Sequence, residues 1–430
     1  MSTLSDPPRT SLLRDRDVKR YLAGQLSAEV GSRISREGLP IVAIVSVGAG
    51  APALALLAAL ATLPSLLAGN VVGQAVDRTR RRPLLIGANV ARALILFAIP
   101  VLYLTHHLTM AGIAAVTVLA ALAALVVRVA RHAYLPTLVG RHRLEEGNEW
   151  VGTAESIGET AGPGLMGLLI QAVGAPLAMA FDALSNLIAA ASLVSLSRPE
   201  PNVASAPPSG AGTGIQIGHV WSRVLRHPIL GPLFLNAGVG ALAGGFFSTL
   251  YELYVLKTLH LSPFLLGLLI TSGGLGSLIG TRLFRRLRRR LNLGRLMAAA
   301  YFIFALLNLA VPAAHGTLWV KFLLLFIAQF GGDLWATIFE IGAATVEQHV
   351  TPDHWLGRVH GTFRALSGGV EVVGALAAAP LALWLGVRGA FWLAALGLMA
   401  SGLLLMVGRM LRYEPAEEPF WPAFDQPANG

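Results

Sequence analysis

Apolar residues in this chain come in runs of about 20 residues, parted by short polar breaks, from near residue 21 to near residue 409. A helix of that length crosses roughly 30 Å of hydrocarbon with its backbone N–H and C=O groups satisfied internally. Twelve runs predict twelve membrane-spanning helices. Six lie near 21–47, 52–72, 83–104, 109–134, 149–173 and 176–196. Six more follow near 228–256, 263–282, 295–314, 317–347, 359–385 and 389–409. Leu and Ala dominate and Gly is frequent, as close helix packing in lipid requires. The intervening stretch 198–218 is rich in Pro, Ser, Gly and Ala and lacks an apolar period, so it reads as a flexible linker. The expected organisation is therefore an all-α integral membrane protein of two pseudo-symmetric six-helix halves. Its parts are an N-tail (1–20), a first half (21–198), a linker (199–222), a second half (223–410) and a C-tail (411–430), the last expected to be mobile past Arg412. Such a plan puts the working site of secondary transporters near the midplane.

Composition supports lipid as the solvent. The chain is 54% hydrophobic and 13% charged, against about 25% charged in soluble domains. Behind its net charge of +10, most basic residues cluster in short segments between apolar runs. Arg9, Arg14, Arg16, Lys19 and Arg20 precede span 1, and Arg78, Arg80, Arg81 and Arg82 follow span 2. Arg141 and Arg143 follow span 4, Arg198, Arg223 and Arg226 follow span 6, and Arg285 to Arg290 follow span 8. Arg409 and Arg412 close span 12, while the opposite loops 48–52, 105–109, 174–176 and 313–317 are short and nearly uncharged. By the positive-inside rule, both termini lie in the cytoplasm of a multi-pass protein of the cytoplasmic membrane. That arrangement explains the basic residues better than nucleic acid does. The polar N-terminus reads as a tail, not a signal peptide. No cysteine is present, which excludes disulfides, thiolate metal sites and cysteine nucleophiles. The sequence lacks G-x-x-x-x-G-K-[ST] and G-x-S-x-G, so ATP-driven transport and hydrolase chemistry are not indicated.

Charged side chains inside the spans are the candidate chemistry, since each is costly in hydrocarbon. Span 1 carries Glu29, Arg33 and Glu37 at four-residue spacing, with Arg36 beside them. The three share a helix face and can pair. They form either a structural ion-pair ladder or a polar lining for substrate and protons. Span 10 carries Asp333 and Glu340 on one face, with Glu347 a further seven residues on, and span 11 carries Arg364 and Glu371. A carboxylate in a span is cheaper to bury once protonated, so Asp333, Glu340 and Glu371 are proton-coupling candidates. Arg364 could instead pair with one of them and hold it charged. Glu155 and Glu159 of span 5 face the possible partners Arg128 and Arg131 of span 4. Asp182, Asn186, Tyr251, Glu252 and Tyr254 are expected near the external mouth. His349, His354 and His360 have no tight ligand spacing, and no metal site is expected.

Between spans 2 and 3 stands Gly73-Gln-Ala-Val-Asp77-Arg78-Thr-Arg80-Arg81-Arg82. Its Gly73, Asp77, Arg78, Arg81 and Arg82 resemble the cytoplasmic loop motif of the major facilitator superfamily, with Arg80 where a glycine is usual. Further stretches resemble the macrolide-efflux and enterobactin-exporter-like branch. They are Gly24-Gln25-Leu26-Ser27 with Leu39-Pro40, Leu63-Pro64-Ser65-Leu66, Ala130-Arg131-His132-Ala133-Tyr134-Leu135-Pro136 and Gly357-Arg358-Val359-His360-Gly361. In span 5, Gly158, Gly162, Pro163 and Gly167 resemble the G-x-x-x-G-P pattern of the superfamily's antiporters.

The resemblance implies alternating access, with Asp77 meeting the start of span 11 and the loop arginines, Arg131 and Arg358 forming a cytoplasmic gate. The span 5 glycines and proline would then form a hinge-like seam between halves. It implies export of a drug-, macrolide- or siderophore-like compound by proton antiport. No cofactor beyond the proton gradient is expected, and the partners are substrate, protons and the bilayer, with the protein a monomer. An uptake symporter, a lipid or lysolipid flippase and a membrane-embedded enzyme are the alternatives.

Overall fold

The structure is a computed structural model, described here for residues 12–140, 143–198, 217–406 and 408–415. The expected N-tail, linker and C-tail fall largely outside those residues. Among the described residues the chain is helical, with α1 (Arg16–Ser46), α2 (Ala51–Asp77), α3 (Arg81–Leu104), α4 (Met110–Val139), α5 (Leu144–Val173) and α6 (Ala175–Val194). After them come α7 (Ile217–Arg226), α8 (Leu230–Leu253), α9 (Pro263–Leu287), α10 (Leu293–Asn308), α11 (Ala310–Ala313), α12 (Leu318–Phe326), α13 (Gly332–Val350) and α14 (Asp353–Leu405). Two π-helical turns, Tyr254–Thr258 and Ile327–Gly331, continue α8 and join α12 to α13.

Nine helices among the described residues are long and apolar enough to span a membrane. The last of them, Trp355–Leu405, is two spans in one. Gly386 interrupts it with φ 74° and ψ 159°, a conformation that an L side chain resists. The charged α1 and α5 complete the twelve spans. Gly174, at φ 88°, makes a similar turn between α5 and α6.

Three boundaries differ from expectation. The first span begins at Arg16, because the Asp15 carboxylate accepts from the backbone N–H of Asp17 at 2.9 Å and of Val18 at 3.4 Å. That cap draws Arg16, Lys19 and Arg20 into the helix. The amphipathic α7 occupies the end of the expected linker and buries Val220 and Val224. The first residues past Arg412 are docked: the Gly294 N–H donates to the Tyr413 carbonyl at 3.1 Å, and Glu414 pairs with Arg288.

The chain forms two compact units. One comprises residues 1–42 and 67–207, the other residues 43–66 and 208–430. In the first unit a core gathers Tyr21, Val76, Leu85, Ala130, Tyr134 and Leu138. In the second, Leu296, Ala300 and Ile338 are buried among Leu283, Phe284 and Trp335. Many remaining Leu, Val and Phe side chains point outward, as lipid-facing helices require.

Candidate functional site

Glu29 and Arg33 of α1 find their partners on other helices. Glu29 pairs with Arg131 of α4, and Arg33 with Glu159 of α5. Arg131 also holds Glu155 of α5 at 2.5 Å, so one guanidinium, 9% exposed, serves two carboxylates. Gln25 donates to Glu29 at 2.9 Å. Glu37 lies one turn beyond Arg33 on α1 and is half-buried.

Glycines bring α5 onto this stripe. A Cβ at Gly158 would stand 2.9 Å from the Glu29 Cβ, and one at Gly162 would stand 2.5 Å from the Arg33 Cβ. The close approach they permit is between α5 and α1 inside the first unit. Pro163 and Gly167 are buried on α5. The result is a lattice of short ion pairs in which backbone contact, made possible by missing side chains, holds opposite charges together.

A second buried pair in this unit escaped the sequence reading. Arg92 of α3 donates to Asp182 of α6 at 3.2 Å, and Asp182 is wholly buried, not at an external mouth. Its carboxylate also accepts from Ser35 at 2.5 Å and Asn186 at 2.7 Å. The available signal was one arginine and one aspartate, each alone in an apolar run.

The loop arginines divide. Arg78 is exposed in the turn after α2. Arg82 donates to the carbonyls of Leu193 at 2.9 Å, Val194 at 3.1 Å, Leu196 at 2.7 Å and Arg198 at 3.1 Å. Leu193 and Val194 close α6 and Leu196 and Arg198 follow it, and a cation suits that negative end. Arg82 thereby clamps the end of α6 to the start of α3. Arg81 is half-buried at the start of α3. A Cβ at Gly73 would meet no atom within 4 Å. Asp77 ends α2, and its side chain lies outside the described residues.

In the second unit, Asp333 opens α13 beside the π turn and accepts a hydrogen bond from the Gln329 amide at 2.8 Å. Gly273 of α9 faces it so closely that a Cβ would overlap both side chains. Among the ion pairs of the described residues, none includes Asp333 or Glu371. Glu340 is exposed on α13. Glu371 is half-buried where Gly245 of α8 lies against its backbone carbonyl. Arg364 reaches neither acid. Its Nε contacts His360 at 3.4 Å, and His360 bonds Glu347 at 3.0 Å.

Arg358 and Arg223 both lie over the Trp355 ring, each 5.1 Å from its centroid, a cation–π arrangement. Tyr251 and Glu252 are buried rather than lining a mouth, while Tyr254 is fixed between Arg388 and the Val311 carbonyl, each at 3.2 Å. His349 bonds the Tyr413 hydroxyl at 2.7 Å, and the side chain of His354 lies outside the described residues.

Comparison with known proteins adds a lineage to this geometry. The family model described as Major Facilitator Superfamily matches residues 30–375. The chain is 26% identical over 414 residues to the multidrug efflux pump Tap of Mycolicibacterium fortuitum, covering 93% of this chain and 97% of that protein. In fold it is similar to a bacterial homologue of the iron transporter ferroportin, solved in an inward-facing state. That match has 16% identity and a TM-score of 0.72, over 92% of this chain and 99% of the other. The nucleoside transporter NupG matches at 11% identity and a TM-score of 0.72, over 93% and 100%.

Proposed function

The chain belongs to the Major Facilitator Superfamily, and on that premise we propose that it exports a small organic compound across the cytoplasmic membrane by proton antiport. It is a transporter, not an enzyme, related at a distance to a multidrug efflux pump. The observation that carries proton coupling is Asp333. This acid sits in an apolar span with an amide as its hydrogen-bond donor and no cationic partner among the described ion pairs. Taking up a proton is the direct way to remove its charge from a low-dielectric setting. Glu371, likewise without a described ion pair, is the second candidate. Glu340, exposed on α13, which also carries Asp333, joins them on the proton and substrate route.

In this reading the Glu29–Arg131–Glu155 and Arg33–Glu159 pairs form the polar lining that a drug-like or siderophore-like substrate contacts, with Glu37 and Arg364 at its margins. Both termini lie in the cytoplasm, as the basic clusters indicate. Gly73, Asp77, Arg78, Arg81 and Arg82, with Arg131 and Arg358, make up a gating region at that surface, and the protein works as a monomer without cofactor. A membrane potential of 100 mV contributes about 2.3 kcal/mol per charge moved, enough for one or two protons to drive concentration outside.

The test uses inside-out membrane vesicles and ethidium as the organic-cation probe. Imposing an inward-acid gradient should drive ethidium accumulation, nigericin should abolish it, and Asp333→Asn should reduce it to the level of vesicles lacking the protein. Accumulation that survives nigericin rules out proton coupling. Accumulation only in right-side-out vesicles makes the protein an uptake symporter instead.

A further inference from the structure

Tyr21, Gln25, Glu29 and Arg33 succeed one another at four-residue spacing, a polar stripe along one face of α1. Its Glu29 and Arg33 end is fully engaged by α4 and α5. Its Tyr21 end is not. The Tyr21 hydroxyl is buried with no hydrogen-bond partner, and so is the Asn89 Oδ1 of α3. Both residues are 3% exposed. The amide nitrogen of Asn89 is already committed to the Leu85 carbonyl at 2.8 Å, so the orphaned oxygen is not an amide assigned the wrong way round.

Tyr21 and Asn89 line one cavity of about 20 Å³, together with Gln25, Ser192, Gly24 and Ala28. A site of about 10–15 Å³ suffices for one water, provided that polar groups converge on it. This cavity has the room and the polar groups. The Ser192 hydroxyl already donates to the Ala189 carbonyl at 2.7 Å, which leaves its oxygen free to accept. Gln25 joins the cavity to Glu29, and the Tyr21 ring lies within electrostatic range of Arg131, Glu29 and Glu155.

We propose that this cavity is a binding site for a single ordered water, which donates to Asn89 Oδ1 and bonds the Tyr21 hydroxyl. The water continues the polar stripe of α1 into the interior of the first unit and satisfies two groups that would otherwise be buried unpaired. It couples α1 to α3 at the level where Gln25 supports Glu29, making Tyr21 and Asn89 positioning residues for the ion-pair lattice. The site does not depend on the direction of transport or on proton coupling.

The sign of a stability change distinguishes a wet cavity from a dry one. With water bound, Tyr21→Phe removes one of its anchors and lowers the thermal midpoint of the purified protein by about 2–4 °C. With the cavity dry, the same change deletes a buried unpartnered hydroxyl and leaves the midpoint unchanged or raises it, which overturns the proposal. Asn89→Leu combined with Tyr21→Phe supplies the second readout. Two residues sharing one water lose less together than the sum of their separate losses, whereas additive losses count against a shared ligand. A high-resolution experimental map of the unaltered protein, read for one density peak within about 2.7–3.2 Å of both oxygens, decides the matter even where a variant does not fold. An empty cavity in that map defeats the proposal.

Discussion

The two units treat buried charge in opposite ways. In the first, acids in the spans have arginines: Asp182 has Arg92, Glu29 and Glu155 share Arg131, and Glu159 has Arg33. In the second, Asp333 relies on an amide, and no described ion pair reaches Glu371. Paired charges resist protonation because the partner would be left exposed to a low-dielectric surround, whereas an unpaired acid loses its cost by gaining a proton. On the proposed function, the first unit is the fixed electrostatic frame and the second carries the proton-coupling acids. It is sharp enough to be broken.

The largest expected effect is at Arg92. Arg92→Leu leaves Asp182 wholly buried without its cation, and losing one member of a buried pair costs about 3–5 kcal/mol. The expected result is a strong fall in folded protein, measured by thermal unfolding in detergent. Asp333→Asn should do nearly the reverse. The Asn oxygen keeps the bond from Gln329, so the stability change stays below about 1 kcal/mol while proton-driven transport is lost. If Asp333→Asn unfolds the protein as badly as Arg92→Leu, Asp333 is part of a structural network and the contrast between units fails.

Arg82 tests a narrower version of the same idea. Its guanidinium caps the end of α6, so Arg82→Ala strands several carbonyls near a membrane surface and should cost about 1–3 kcal/mol. Arg78→Ala, at an exposed turn, should cost within about 0.5 kcal/mol. Equal losses at the two positions would return Arg82 to the general basic cluster.

The spans were legible because hydropathy is a local property, and a run of 20 apolar residues has few alternatives in lipid. The partners of the charges were less so. Four-residue spacing places Glu29, Arg33 and Glu37 on one face but is silent on what that face meets. Here neighbouring helices supply better partners than the helix itself. The clamp by Arg82 depends on where α6 ends relative to α3, a tertiary fact with no sequence spacing. Arg92 and Asp182 were within reach, since a single opposite charge in each of two apolar runs implies that the runs meet. The docking of Tyr413 and Glu414 was hidden because a polar, proline-containing tail resembles a free one until its carbonyl and carboxylate find donors on Gly294 and Arg288.

The smallest effect concerns Gly73, the first residue of the loop motif. Two explanations for a glycine there make different demands. Close backbone contact would forbid a side chain, as at Gly158, where a Cβ would meet Glu29 at 2.9 Å. No such contact exists at Gly73, which lies inside α2 with ordinary helical geometry and nothing within 4 Å of its Cβ position. In this state Gly73→Ala should therefore raise stability by about 0.5–1 kcal/mol, the usual gain of alanine over glycine in a helix. Transport provides the other half of the experiment. If the variant is more stable yet transports more slowly, the methyl group obstructs a conformation other than this one, and Gly73 belongs to the moving parts. If transport is unchanged, the glycine of the motif carries no gating role here, and the charges that follow it must account for whatever the loop does.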